Sequence, residues 1–215
     1  NPRPLTLADT QALNDPFSAP HIMNVAPVID NNLLISFGGE QLRANVSGVT
    51  PAYQEVRSWG VSEGEFINEE RILEKASVAL VGVDVADKLF GRREALVGET
   101  IRIEGQPFRV IGVLLPKGGG SFGSQDEVVL VPFSTAQSRL IRRNRDNVDV
   151  VFIQAINAEA VEQAKEEITA ILRQRHRIIL GPDDFTIFSQ QDFVETAQTI
   201  TGVFTIFLGG IAAIS

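Results

Sequence analysis

Two runs of alternating apolar residues flank a glycine pair. Leu33, Ile35 and Phe37 are spaced by two, Gly38-Gly39 follows, and Leu42, Ala44 and Val46 resume the alternation. Successive side chains of a strand point to opposite faces, so each run has one apolar face, and the glycine pair joins the runs as a β-hairpin. A hairpin of this kind must bury its apolar face against something else. The sequence offers two partners. Upstream, an extended pattern runs from His21 through Val25, Val28 and Ile29. Downstream, residues 148–156 are β-rich, and Asn157 caps a helix carrying Val161, Ala164, Ile168, Ile171 and Leu172 on one face, with Glu159, Glu162, Lys165, Glu166 and Glu167 on the other.

Between these parts lies a section of a different texture. Thr50-Pro51 opens a short helix through Val56, 77–83 reads as a continuous apolar strand, and 85–90 as a helix stopped by Gly91. Strands at 100–104 and 108–114 are linked by the turn Gly105-Gln106-Pro107, and a strand at 128–133 leads to a helix capped by Ser134 and running to about Ile141. Further out, Thr6 caps a short helix with Asp9 in the capping-box position, and 185–188 reads as a strand before a terminal helix opened by Ser189 or Gln190. The fold class is therefore α+β. An early hairpin and a late strand–helix–strand enclose a strand-rich middle, which predicts a discontinuous unit, 1–49 with 148–195, carrying an insertion at 50–147.

The C-terminal stretch adds a constraint of its own. After Glu195 no charged residue occurs through Ser215. A membrane-spanning helix needs about 20 apolar residues, and two structures fit: a buried C-terminal helix, or the opening turns of a transmembrane helix at 196–215. Gly209-Gly210 costs a soluble helix interior about 1 kcal/mol per glycine but suits a membrane helix, which favours the second. The start, Asn1-Pro2-Arg3-Pro4, has neither an initiator Met nor a signal peptide and reads as an excised or processed fragment.

Charge and composition exclude several functions. The net charge of −8 argues against a nucleic-acid partner, and the run from Arg139 through Arg142, Arg143 and Arg145 reads as a solvated surface. Cysteine is absent, so there is neither a disulfide framework nor a thiolate metal site. Gly118-Gly119-Gly120-Ser121-Phe122-Gly123 satisfies G-x-G-x-x-G, yet Ser124-Gln125-Asp126-Glu127 leads into a strand, whereas a dinucleotide loop must open a helix. It reads as a hairpin tip. His21 and His176 are far apart, and His176 sits between Arg175 and Arg177, where cations oppose a metal; both read as surface or helix-end histidines. Ser121 has no paired base, Asp183-Asp184 follows Gly181-Pro182 as turn chemistry, and Glu63, Glu65, Glu69 and Glu70 form a solvated acidic loop. No catalytic set, cofactor site or metal site emerges, and the segment is not expected to be an enzyme.

The ordered short motifs do carry a resemblance. Val46-Ser47-Gly48-Val49-Thr50-Pro51-Ala52-Tyr53, then Trp59-Gly60 and Gly64-Glu65-Phe66, are similar to a stretch of MacB-type ABC-transporter permeases, within the FtsX/MacB-like family. So are Val78-Ala79-Leu80-Val81-Gly82, Leu89-Phe90-Gly91, the segment from Leu96 to Ile103, and Phe108-Arg109-Val110-Ile111-Gly112-Val113. Leu172-Arg173-Gln174-Arg175-His176, Asp184-Phe185 and Ile211-Ala212-Ala213-Ile214-Ser215 complete the set, the last resembling the opening of the second transmembrane helix. The resemblance implies an extracytoplasmic domain between two spans of an inner-membrane permease, with a discontinuous Porter-like and an inserted Sabre-like subdomain. It implies contact with a periplasmic adaptor (a membrane fusion protein), an ATP-binding subunit or domain carrying the ATPase, and a permease homodimer or heterodimer, the domain relaying ATP-driven motion to efflux. An alternative within the same architecture is a lipoprotein-releasing or cell-division-type permease binding a lipoprotein or hydrolase activator. A secreted small-molecule-binding or hydrolytic protein is a third possibility, which the apolar terminus and the missing catalytic set disfavour.

Overall fold

The computed structural model describes residues 3–120, 123–141 and 146–190. In chain order these form α1 (Leu7–Leu13), β1 (Ile22–Phe37), β2 (Glu40–Val49), α2 (Ala52–Val56), β3 (Val61–Gly64), α3 (Glu69–Leu73), β4 (Val78–Val81) and α4 (Val83–Phe90). Then come β5 (Thr100–Ile103), β6 (Gln106–Leu114), the short pair β7 (Gly119–Gly120) and β8 (Gly123–Ser124), β9 (Val128–Pro132) and α5 (Phe133–Thr135). A π-helical turn (Ala136–Leu140), β10 (Val150–Ala155), a 3-10 turn (Ala158–Ala160) and α6 (Val161–His176) complete the set. The α+β class stands.

Strand pairing is built around β1. The hairpin expected about Gly38-Gly39 forms, Phe37 facing Glu40 and Ile29 facing Gly48. The upstream extended pattern and the first hairpin arm are one strand of 16 residues, long enough to serve two neighbours in succession. Residues 22–28 pair antiparallel with β10, and residues 29–37 pair with β2. From β2 the sheet continues through β9, β4 and β6 to β3, and β5 pairs with both β6 and β1. The ladder thus returns to its start, closing a circuit of β1, β2, β9, β4, β6 and β5. Closure removes edges that would otherwise expose unpaired backbone groups.

Burial follows the pleat. Ile35, Val46, Val81, Ile101, Ile103, Phe108, Val110, Val113, Val129 and Val131 converge on one core with Val85, Ala86 and Leu89 of α4. Helix α4 ends at Gly91 in the left-handed region (φ 64°), which a Cβ would disfavour. On the other side of the strands, Tyr53, Trp59, Phe66, Ile67, Leu80, Ile111, Leu114 and Leu130 form a second core. The third core matters most for the site. Leu13 of α1, Ile22 and Val25 of β1, and Ala164, Ile168 and Leu172 of α6 pack together, with Ile153, Phe185 and Ile187 against them. The helical periodicity of 161–172 therefore faces the β1–β10 arm.

Four local expectations are corrected. The turn between β5 and β6 is Glu104-Gly105, both at positive φ (49° and 79°), so Gln106 and Pro107 already belong to the strand. The apolar run 77–83 ends as a strand at Val81, because Gly82 begins the helix and Val83 is its first residue. Ser134 does not cap a helix: it lies inside α5, and its hydroxyl donates to the Ile72 carbonyl. Residues 185–188 form no strand, because Phe185 and Ile187 turn their side chains into the core beneath α6.

Candidate functional site

The densest polar cluster joins the two ends of the described chain. It begins with the capping box of α1. The Asp9 carboxylate accepts from the Thr6 backbone N–H (2.8 Å) and hydroxyl (2.7 Å). Asp9 does not stop at this local task. Its Oδ1 accepts from Arg175 Nε (2.5 Å), and its Oδ2 lies 3.4 Å from His176 Nε2, so the last turn of α6 is fastened to α1. Helix α6 then ends at Arg177 in the left-handed region (φ 59°), and Ile178 N–H returns to the Arg173 carbonyl. That reversal carries the chain back along the helix end. Arg173 pairs with Asp183 (2.5 Å), and His176 Nδ1 meets Asp184 Oδ1 (2.7 Å). Asp184 Oδ2 in turn accepts from the Arg3 backbone N–H (3.0 Å).

This junction is buried at its centre. The Asp9 and His176 side chains are each 4% exposed, and the Phe185 ring meets His176 edge-on at 6.2 Å. Burial by itself pushes the Asp9 carboxyl up, but the donors from Thr6, Arg175 and His176 outweigh it and hold it below the usual carboxylate range. Asp184 is likewise held low: desolvation opposes, and the Arg3 N–H and His176 prevail. A second tie crosses the same helix, where Glu167 accepts from His21 Nδ1 (2.5 Å) and from the His21 backbone N–H (3.1 Å). Both histidines of the chain thus bond carboxylates across the α6 seam.

The structure places the other candidates as follows. Asp183 and Asp184 lie in an irregular segment with bends at Gly181 and Asp184, and both are engaged by α6. His176 is at a helix end as read, but buried rather than on the surface, because the fold brings Asp9 of α1 back against it. Gly118 and Gly119 enter the β7–β8 hairpin, with Asp126 accepting from the Lys117 and Gly118 N–H groups, and the chain goes on into a strand rather than a helix. Ser121 lies outside the described residues, as do Arg142, Arg143 and Arg145 of the basic run and everything from residue 191 onward, including the expected membrane helix. Glu63 is not a free member of an acidic loop: it caps the turn at Leu96 and Val97 by accepting both N–H groups (3.1 and 3.0 Å). The Val97 N–H is the main cause that holds Glu63 below its usual range, with burial opposing. Glu65 pairs with Arg71 (3.0 Å). Among the described residues no group of His, Asp and Glu is arranged to hold a metal, and no helix is long and apolar enough to cross a membrane. The Asp9–Arg175–His176–Asp184 junction escaped the sequence reading. Asp9 already had a sufficient explanation as the third position of a capping box, and Arg175, His176 and Asp184 stood only as pieces of the family motifs, with nothing local to join them to Asp9.

Comparison with known proteins places this architecture. The family model described as the MacB-like periplasmic core domain matches residues 1–171. A macrolide export ATP-binding/permease protein MacB of Bdellovibrio bacteriovorus is 32% identical over 213 residues, covering 98% of this chain and 32% of that protein. A pyoverdine export ATP-binding/permease protein PvdT of Pseudomonas aeruginosa is 31% identical over 217 residues, covering 100% of this chain and 32% of that protein. The chain therefore spans about a third of the length of these relatives. Among solved structures, the periplasmic region of MacB from Actinobacillus actinomycetemcomitans superposes with a TM-score of 0.73 at 20% identity, covering 90% of this chain and 83% of that one. The extracellular domain of the ABC-type transporter YknZ from Gram-positive bacteria gives 0.68 at 20% identity, covering 82% and 87%. These likenesses agree with the motif order read from the sequence, and the chain belongs to the MacB-like periplasmic core domain family.

Proposed function

We propose that this chain is the extracytoplasmic domain of an ABC exporter permease, facing the periplasm or the extracellular side, and that it relays ATP-driven motion to efflux through contact with a periplasmic adaptor. The observation that carries the reading is the alignment of 98% of the chain with a third of a protein whose name joins macrolide export to an ATP-binding/permease. In this reading the domain is not catalytic, ATP is hydrolysed on a separate nucleotide-binding domain or subunit, and the permease works as a homodimer or heterodimer. Residues 196–215 begin the second transmembrane helix.

Two structural observations support a relay. First, 50–147 returns close to where it left: Gly48 pairs with Ile29, and Val150 pairs with the adjacent Val28. That favours the division into a Porter-like unit, 1–49 with 148–195, and a Sabre-like insertion at 50–147, joined through the β2–β9 and β1–β5 ladders. Second, the Asp9–Arg175–His176–Asp184 junction ties the segment leading to the apolar terminus onto α1 and α6, so displacement arriving there reaches the sheet through short polar bonds and packed side chains. A flexible linker absorbs displacement that a continuous element transmits. Insertion of a short Gly/Ser linker near Gln198 in the full transporter is expected to uncouple export from ATP hydrolysis while hydrolysis continues. Export unchanged by that insertion would make the domain a passive docking surface.

A further inference from the structure

We propose that the junction of α1, α6 and the 181–188 segment is a proton-operated latch, closed when His176 is doubly protonated and loosened when the ring loses a proton. The proposal rests on hydrogen-bond inventory and charge balance, independently of the exporter reading. Both ring nitrogens of His176 face carboxylate oxygens, Nδ1 toward Asp184 at 2.7 Å and Nε2 toward Asp9 at 3.4 Å. An ionised carboxylate only accepts, and a neutral imidazole carries a single N–H, so only the imidazolium donates to both. A neutral ring donates to one carboxylate, turns a lone pair toward the other, and is a cationic partner to neither.

The charges around the ring agree. From α1 the facing group is Asp9, itself held by Thr6; from α6 it is Arg175; from the returning segment it is Asp184, which also holds the Arg3 N–H. Asp183 is occupied by Arg173 at the rim. Two carboxylates against Arg175 and a protonated His176 balance to zero, whereas a neutral ring leaves one negative charge in excess at a site where two of the side chains are 4% exposed. Uncompensated buried charge is the costly state. The consequence falls on one element. Asp9 keeps Thr6 and Arg175, so the weakly secured partner is the segment carrying Asp184, and with it Phe185 and Ile187 against the third core.

The test follows the ring and the segment in the same sample. In the purified 215-residue chain, imidazole 15N shifts report the protonation of each His176 nitrogen between pH 5 and pH 9, and amide hydrogen exchange, corrected for its intrinsic pH dependence, reports opening of 178–188. Both nitrogens are expected to be protonated while the segment is protected. Opening is expected to increase roughly tenfold as the ring titrates, the scale of one charge-assisted hydrogen bond lost. Asp184→Asn is expected to remove the pH dependence of opening, and His21→Gln to leave it in place. A ring that is neutral while the segment is protected, or an opening that does not follow the ring's titration, overturns the latch. So does a pH dependence that survives in Asp184→Asn. The measurement on the unmodified chain stands whether or not either variant folds.

Discussion

Replacing Asp9 with alanine tests whether the junction holds the domain together. The carboxylate holds three residues at once, so its removal has separable consequences. Loss of the capping box leaves the Thr6 N–H and hydroxyl without their acceptor, a change worth about 1 kcal/mol at a helix N-terminus. Arg175 loses a charge-assisted bond of the class worth about 1.5–3 kcal/mol. Its side chain is 35% exposed, so it can turn to water, and about 1 kcal/mol is the better expectation for that part. His176, being 4% exposed, cannot turn away, but it retains Asp184. The total is about 2 kcal/mol, which at a urea dependence of about 2 kcal/mol per molar lowers the unfolding midpoint by about 1 M. The assay is equilibrium urea unfolding of the 215-residue chain, with Arg175→Ala and the double variant completing a cycle. A coupling energy of about 1 kcal/mol is expected for the pair. A midpoint for Asp9→Ala within about 0.2 M of the parent, at unchanged slope, would mean that the cluster is decoration on an already sufficient core.

Two further outcomes follow from the geometry. A Cβ at Gly82 would lie 2.2 Å from the Asp126 carbonyl oxygen, so Gly82→Ala must open the bonds Gly82 N–H to Val128 and Asp84 N–H to Asp126 and should cost about 3 kcal/mol in thermal or urea unfolding. Gly91→Ala meets no atom within 4 Å but keeps a φ of 64° and should cost only about 1 kcal/mol; equal costs would mean that sterics at the β4–α4 corner have been misjudged. Acid should also destabilise the domain. The folded-state carboxyls of Asp9 and Asp184 lie below their unfolded values, so the stability they contribute is present above about pH 4 and is lost as pH falls through the folded values. Stability measured from pH 6 down to pH 2 should therefore decline less steeply in Asp9→Asn than in the parent, and an identical decline would refute the assignment.

Local chemistry alone determined much of this protein. The alternation on either side of Gly38-Gly39 fixed the hairpin and its faces, Thr6 with Asp9 fixed the start of α1, Gly91 fixed the end of α4, and the spacing from Val161 to Leu172 fixed the buried face of α6, because each of these signals acts within a few residues. The order of short motifs carried the family. Tertiary structure decided what local signals cannot contain. That β1 serves two partners in turn, that β5 returns to β1 to close the strand circuit, and that 185–188 packs rather than pairs are outcomes of competition among distant segments for one core. The same holds for the junction. Asp9 and His176 are 167 positions apart, and nothing in the neighbourhood of either one specifies the other. Burial between α1 and α6 brings them within hydrogen-bonding range, and the low dielectric there turns an ordinary cap and an ordinary helix-end histidine into one electrostatic unit.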